Sequence, residues 1–322
     1  MIAIDQLQIK IEDAIKKVAF PHEPEGLYEP IAYVLEEGGK RLRPLLVLMS
    51  YNLFKDNIEI ALNPAIGLEM FHNFTLLHDD IMDKADIRRN KPTVHKKWNE
   101  NTAILSGDAM MIKSYQFFYD LPLRIQSEVL KTFTQTALEV CEGQQYDMNF
   151  ETRFDVSIDE YMEMIRLKTA VLLAAAMKIG AQIAEAKNED TELLYQAGIK
   201  MGLAFQLQDD YLDVYGDTKV FGKKIGGDIV SNKKTYLLIS ALNLANENQR
   251  NNLLHLLNEC QDREEKINKV TLLYNEMGVQ NITKAKINEL TKESLTLLEK
   301  VSEQKNISAI KELIIKLLDR NC

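Results

Sequence analysis

Leu76-Leu77-His78-Asp79-Asp80-Ile81-Met82-Asp83 is echoed further along the chain by Gln206-Leu207-Gln208-Asp209-Asp210-Tyr211-Leu212-Asp213. Each stretch sets an Asp-Asp-x-x-Asp motif in apolar surroundings. On a helix, positions i and i+4 lie one turn apart on the same face, and i+1 and i+4 are neighbours too. Each motif therefore projects its carboxylates from one patch of helix surface. Like charges at that spacing cost roughly a few tenths of a kcal/mol per pair, so a helix has no reason of its own to place them there. Clustered carboxylate oxygens suit a hard divalent cation such as Mg²⁺. Two copies call for a joint explanation.

The sequence around the motifs reads as helix. All seven prolines (21, 24, 30, 44, 64, 92 and 122) fall in the first 122 residues, so long helices can run unbroken through the rest. Ile125, Val129, Phe133, Ala137 and Val140/Cys141 keep a helical spacing. Ser157-Ile158-Asp159-Glu160 is a capping box that opens a helix through Tyr161, Ile165, Lys168 and Leu172. No sustained period-two pattern suggests a strand. Breaks are expected at Pro21–Pro30, Gly38-Gly39, Asn63-Pro64, Asn90-Lys91-Pro92, Asp120-Leu121-Pro122 and Gly216–Gly227. No linker or compositional shift marks a boundary, so the expectation is one all-α domain over residues 1–322. The stretch from about Asn246 to the end reads as amphipathic helices that pack on the outside or on a partner subunit.

Composition excludes several classes of function. Hydrophobic residues make up 46% and charged residues 27%, ordinary values for a globular protein. A net charge of −9 supplies no basic field for nucleic acid. No apolar run is long enough to span a bilayer, and the start lacks the basic and apolar regions of a signal peptide. Cys141, Cys260 and Cys322 form no paired or zinc-binding pattern, which fits the reducing cytoplasm.

Cationic residues answer the aspartates. Arg88-Arg89 follows the first motif, and Gly38-Gly39-Lys40-Arg41-Leu42-Arg43-Pro44 precedes it. Lys223, Lys224, Lys233 and Lys234 follow the second motif among flexible positions. A lone basic turn is common, but guanidinium forks suit phosphate oxygens. Carboxylates cannot hold a polyanion directly: two like charges ~4 Å apart cost about 4 kcal/mol at an effective dielectric of ~20. Mg²⁺ between carboxylate and phosphate reverses that sign. Metal-binding acids ringed by lysine and arginine ask for a diphosphate.

From Gly39-Lys40-Arg41-Leu42-Arg43-Pro44 through both aspartate motifs to Asn232-Lys233-Lys234-Thr235, the chain resembles the trans-isoprenyl diphosphate synthases of the polyprenyl synthetase family. The resemblance implies an all-α bundle around a deep central cavity, a homodimer, and Mg²⁺-dependent head-to-tail condensation of isopentenyl diphosphate with allylic diphosphates. It implies Asp79, Asp83 and Asp209 as direct ligands in a three-Mg²⁺ cluster, supported or completed by Asp80, Asp210 and Asp213. Arg88, Lys168, Thr169, Gln206, Lys223 and Lys233 would contact the allylic diphosphate or its departing charge, with Lys224 as a substitute for Lys223. Lys40, Arg43, His72 and Arg89 would hold isopentenyl diphosphate in a second, metal-free site. Lys168, Thr169 and Gln206 would also stabilise the passing cation. Taken singly, His72 would be a core histidine and Lys168-Thr169 a snorkelling lysine beside a back-bonded threonine. Asn90 stands where glycine often follows the arginine pair, and asparagine tolerates the left-handed turn expected there. His78, His95 and Trp98 read as structural.

The helix of the first motif also offers a ruler. At ~1.5 Å per residue, Phe74 lies ~7 Å and Phe71 ~12 Å below Asp79 along the axis. A ring at Phe74 would stop a growing chain after a few isoprene units, and the small Thr75 leaves room beside it. That pattern resembles C15 and C20 synthases, with C20 favoured over C15. A cyclase or head-to-head synthase would not need the Lys40/Arg43/Arg89 set, and a non-catalytic partner subunit would be expected to lose aspartates.

Overall fold

The computed structural model describes residues 2–216, 225–302 and 307–318. Within them the chain is helical almost throughout, as the proline distribution and helical spacing predict. In chain order the helices are α1 (Ile4–Lys16), α2 (Glu25–Glu36), α3 (Leu42–Phe54), α4 (Glu59–Met82), α5 (Val94–Lys97), α6 (Glu100–Gln116), α7 (Leu123–Glu151) and α8 (Ile158–Ile165). A π-helical turn (Arg166–Ala170) leads into α9 (Val171–Ile183) and α10 (Asn188–Tyr215). There follow α11 (Gly227–Val230), α12 (Tyr236–Leu244), α13 (Glu247–Glu259), α14 (Arg263–Glu276), α15 (Val279–Leu298) and α16 (Ile307–Leu318). The only strands among the described residues are β1 (Ile87–Arg88) and β2 (Lys91–Pro92), paired antiparallel.

The chain divides into two compact units. One takes Met1–Thr134, Ala175–Glu192 and Ser302–Ile310; the other takes Gln135–Ala174, Leu193–Val301 and Lys311–Cys322.

In the first unit, α1, α2, α3 and α6 all pack against α4. A helix surrounded in this way must be apolar on more than one face, and α4 buries Leu68, Met70, Phe71, Phe74 and Leu77. Phe71 stacks edge-on to Phe133 at 5.2 Å between ring centres, and Phe133 in turn meets Tyr115 and Phe118, each at 4.9 Å. Burying each such ring contributes roughly 1.5–3 kcal/mol. The break expected at Pro21–Pro30 falls between α1 and α2, although its last proline, Pro30, sits in the second turn of α2; the break expected at Asn63-Pro64 is absent, with Pro64 in the second turn of α4. The carbonyls that lose a helical partner belong to Gly26 and Ile60, both exposed residues in the first turn of their helices.

In the second unit, Val214, Ile229, Leu237, Leu253, Val270 and Val279 form a common core. The helices after Asn246 thus pack inward as well as facing solvent. The capping box forms as expected: Ser157 Oγ accepts from the Glu160 N–H at 3.2 Å, and Glu160 Oε2 accepts from the Ser157 N–H at 2.9 Å. The helix it opens reaches Leu172, but through the π-turn rather than as regular α-helix. No helix of the described residues is long and apolar enough to cross a membrane.

Candidate active site

The first motif closes α4. Asp79 and Asp83 lie one turn apart, and the Asp83 N–H bonds back to the Asp79 carbonyl at 2.9 Å. Two carboxylates at a helix C-terminus face the negative end of its dipole, an added cost that local packing does not explain. Asp79 is half-buried and Asp83 exposed. Asp80 turns inward and is 5% exposed. Arg88 Nε donates to its Oδ1 at 2.7 Å, and Arg88 Nη2 lies 3.7 Å from Asp79 Oδ2. Burial pushes the Asp80 carboxyl upward and outweighs the opposing pull of Arg88.

Arg88 and Arg89 come from the β1–β2 hairpin. Arg89 and Asn90 form its two-residue turn, with φ of 51° and 63°. Positive φ at both central positions is the type I′ signature, whose twist matches that of the strands it joins. Asn90 keeps the turn as expected. The Arg89 guanidinium tucks under the Gly38-Gly39 loop and donates from Nη1 to the Gly38 carbonyl. A Cβ on Gly39, whose φ is 143°, would lie 3.0 Å from Arg89 Nη2, so the loop needs glycine there on two counts.

Beneath that loop, positive charge is concentrated and under-neutralised. Arg43 is pulled down to about 10, chiefly by burial, with Glu69 opposing and Arg89 adding to the fall. Its Nε is buried without a hydrogen-bond partner. Burial, then the charges of Arg43, Arg89, Arg88 and Arg41, hold the His72 imidazole well below its ordinary range. Three of the four expected isopentenyl diphosphate ligands, Arg43, His72 and Arg89, are thus brought together. Lys40 is exposed at the adjoining loop. A small recess is lined by Glu37, Asn73, Asp80, Arg88 and Arg89 among others.

The second unit carries its motif on α10. Asp210 is 3% exposed and accepts hydrogen bonds from Gln206 Nε2 at 3.0 Å and from the Tyr161 hydroxyl. Thr169 Oγ1 donates to Gln206 Oε1 at 3.0 Å, so Thr169, Gln206, Asp210 and Tyr161 form one chain of bonds. Burial drives the Asp210 carboxyl upward while Lys233 pulls it down. Asp213 Oδ2 accepts from the Asp228 N–H at 2.9 Å and so anchors the start of α11. Asp209 is half-buried. Lys168 Nζ lies 2.6 Å from Asp147 Oδ2. Lys168 and Thr169 sit inside the π-turn, a distortion often found at functional positions. Gly143 of α7 permits the close approach: a Cβ there would fall 2.2 Å from the Lys168 nitrogen. Lys233 lies 4.0 Å from Asp228. Lys223 and Lys224 fall outside the described residues.

Among the described residues, no three His, Cys, Asp or Glu side chains converge into a ready-made metal cage. The donor set nevertheless fits Mg²⁺, which typically takes one or two carboxylates and completes its shell with substrate phosphates and water. Asp80 and Asp210 are the buried members of the two motifs, Asp79, Asp209 and Asp213 are half-buried, and Asp83 is exposed.

Of the ruler residues, Phe74 is 7% exposed, with its ring 4.8 Å from that of His78 and 5.4 Å from that of Phe71. Phe71 is 1% exposed within the aromatic cluster. Thr75 Oγ1 is spent on the His72 carbonyl at 2.8 Å. His78 bonds the Ile104 carbonyl at 3.2 Å, as a structural histidine would. Sequence reasoning missed Glu69, Asp147 and the role of Tyr161. Glu69 carried a signal, being an acid within the apolar run Gly67-Leu68-Glu69-Met70-Phe71.

The sequence profile of the polyprenyl synthetase family matches residues 24–277. The short chain isoprenyl diphosphate synthase of Methanocaldococcus jannaschii is 41% identical over 259 residues, covering 80% of this chain and 78% of that protein. The geranylfarnesyl diphosphate synthase of Natronomonas pharaonis is 38% identical over 258 residues, covering 74% and 75% respectively. A crystal structure of a geranylgeranyl pyrophosphate synthase matches at a TM-score of 0.95 and 43% identity, covering 100% of both chains. A family profile that covers most of the chain, and relatives this similar over three quarters of it, make the protein a member of the polyprenyl synthetase family, a prenyltransferase of the short-chain trans-isoprenyl diphosphate synthase type.

Proposed function

We propose that the enzyme condenses isopentenyl diphosphate with allylic diphosphates up to the C20 product, geranylgeranyl diphosphate. The observation that carries this reading is the pairing of two unlike anion sites in the first unit. One is the carboxylate patch of Asp79 and Asp83, suited to a metal-bridged diphosphate. The other is the under-neutralised Arg43–His72–Arg89 cluster, suited to a diphosphate held without metal. A reaction that ionises one diphosphate and keeps the other needs both.

Mg²⁺, when bound, neutralises the allylic diphosphate and stabilises the charge that builds on its leaving oxygens. Asp79, Asp83 and Asp209 would hold it, three ions in all. Lys40, Arg43, Arg89 and neutral His72 fix isopentenyl diphosphate through its phosphates and so aim its double bond. Arg88, Lys168, Lys233 and Lys223 or Lys224 meet the departing charge. The allylic C–O bond breaks, the double bond of isopentenyl diphosphate attacks the allylic carbon, and the new C–C bond leaves a cation that loses one proton. No side chain is assigned as base, and the released diphosphate takes that proton. The Lys168 carbonyl and the side chains of Thr169 and Gln206 would stabilise the passing cation. Asp80, Asp210 and Asp213 act as supports, held by Arg88, by Tyr161 and Gln206, and by the start of α11.

Phe74 supports a C20 limit, with C15 as the alternative. One relative is named for the longer geranylfarnesyl product. Exposed Ile104, Ile112, Leu138, Tyr146 and Met148 on α6 and α7 support a homodimer. The free thiols of Cys141 and Cys260 fit a cytoplasmic enzyme acting as a single catalytic domain.

The test is direct. Purified protein is incubated with isopentenyl diphosphate, Mg²⁺ and, separately, the C5, C10 and C15 allylic diphosphates, and the products are sized. Condensation ending at C20 is the expected result. An end at C15 would correct the length, and no condensation with any of them would overturn the reading.

A further inference from the structure

Arg41 lies between Lys40 and Arg43 in sequence, yet its side chain is engaged elsewhere. Its φ is 44°, a left-handed conformation uncommon for a bulky residue. The guanidinium is fixed on three sides. Nε donates to Glu12 Oε1 of α1 at 3.0 Å, Nη1 to Glu69 Oε1 of α4 at 2.9 Å, and Nη2 to the Leu35 carbonyl of α2 at 2.6 Å. Glu69 is locked in turn by Asn73 Nδ2, which donates to its carbonyl at 2.7 Å and to its Oε1 at 3.3 Å. Arg41 and Glu69 are 4% and 2% exposed. Only Glu12 reaches solvent, its side chain 38% exposed.

One side chain therefore ties three helices to the start of a fourth. Arg43 lies two residues beyond Arg41, in the first turn of α3. His72 lies three residues beyond Glu69, on α4. The bond between Arg41 and Glu69 thus joins the segment that carries Arg43 to the helix that carries His72. An apolar cluster of similar volume would hold the helices together at least as well, because a buried ion pair gains little net stability. The fork supplies direction, which lysine cannot.

We propose that Arg41 is a positioning residue for the metal-free diphosphate site, and that Glu12 extends this device to the N-terminal helix. The proposal rests on reading Lys40, Arg43, His72 and Arg89 as the isopentenyl diphosphate site. It gives α1, which otherwise only buries Leu7, Ile11 and Ile15, a part in substrate affinity.

Steady-state kinetics on the full chain test it, with four variants. Glu12→Gln removes one charge at the solvent-reaching end of the device and leaves the buried pair intact. Its KM for isopentenyl diphosphate is expected to rise about three- to tenfold, the scale of one weakened charge-assisted hydrogen bond, with kcat and the allylic KM nearly unchanged. Arg41→Lys keeps the charge but loses the fork, and the same KM should rise further; if that variant does not fold, Glu12→Gln still decides. Lys10→Ala breaks the exposed pair Lys10–Glu59 (2.8 Å), another link between α1 and α4 that does not touch Arg41, and should change no constant. Lys40→Ala reports on the site itself and should raise the KM for isopentenyl diphosphate. Equal rises in Lys10→Ala and Glu12→Gln, or a matching rise in the allylic KM, would overturn positioning in favour of general anchoring. A rise in Lys40→Ala with none in Glu12→Gln would overturn the role of Arg41 and leave the site reading standing. No rise in Lys40→Ala would overturn the site reading and this inference with it.

Discussion

Arg88 bridges two neighbouring aspartates of the first motif, with Nε 2.7 Å from Asp80 Oδ1 and Nη2 3.7 Å from Asp79 Oδ2. The three aspartates of Asp79-Asp80-x-x-Asp83 are therefore unequal. Asp79→Asn or Asp83→Asn removes a carboxylate proposed to hold Mg²⁺. Each is expected to lower kcat about 10²- to 10³-fold, the scale of losing a main electrostatic stabiliser, and to raise the Mg²⁺ concentration at half-maximal rate. Asp80→Asn keeps an oxygen for Arg88 and should cost about tenfold or less in rate, with little change in Mg²⁺ requirement. Rate measured across a Mg²⁺ titration separates the two patterns. Equal shifts at Asp79 and Asp80 would count against the division.

His72 should make stability depend on pH. Its folded pKa is held below the unfolded value of about 6.5, so between the two the unfolded chain binds a proton that the folded chain does not. Stability then rises with pH through that window and falls as pH drops below about 6.5. Urea midpoints at pH 5.5 and 7.5 should differ more in the wild type than in His72→Gln, which cannot titrate. Saturating pyrophosphate should shrink the wild-type difference, because an anion in the Arg43–Arg89 cluster favours imidazolium.

Much of this was legible in the chain before its structure was known. The i and i+4 acids named the chemistry, and proline-free sequence after residue 122 gave long helices. Asn90 was readable as a left-handed turn residue. What could not be read were features made by distant packing. The hairpin Ile87–Pro92 is too short to show a period of two. At the π-turn, Lys168 meets Gly143 of α7, more than twenty residues earlier, an approach that local sequence does not show. Asp210 looks like Asp209 in sequence, and only the fold buries it and gives it hydrogen bonds from the hydroxyl of Tyr161 and the amide of Gln206. Asn63-Pro64 reads as a break in sequence, yet the fold carries Pro64 in the second turn of α4, one turn after the exposed residue Ile60.

Gly143→Ala tests that packing. The new Cβ would meet the Lys168 nitrogen at 2.2 Å and the Leu167 carbonyl carbon at 2.7 Å, both backbone atoms that cannot rotate away. Overpacking of this kind costs about 1–3 kcal/mol, and here the relief must come from the π-turn. Both unfolding free energy and kcat should fall, since Lys168 and Thr169 move with the turn. Gly26→Ala, whose Cβ would meet nothing within 4 Å, is the control and should leave both nearly unchanged.

Phe74 and Phe71 should respond differently to truncation, although they lie less than one turn apart on α4. Phe71 is 1% exposed and packs on Phe133, which in turn meets Tyr115 and Phe118, so Phe71→Ala opens a cavity at the edge of that aromatic cluster. That change is expected to cost about 3–5 kcal/mol of stability, with product length set as before. Phe74 lies nearer the aspartates, and among the aromatic groups of the described residues its ring meets His78 and Phe71. Phe74→Ala should remove the block on the growing chain and move the main product beyond C20 at a smaller cost in stability. Sizing the products of both variants, alongside their urea unfolding curves, checks the pair. Longer products from Phe71→Ala with none from Phe74→Ala would place the stop one step deeper than Phe74, and unchanged length in both would remove this face of α4 from control of the product.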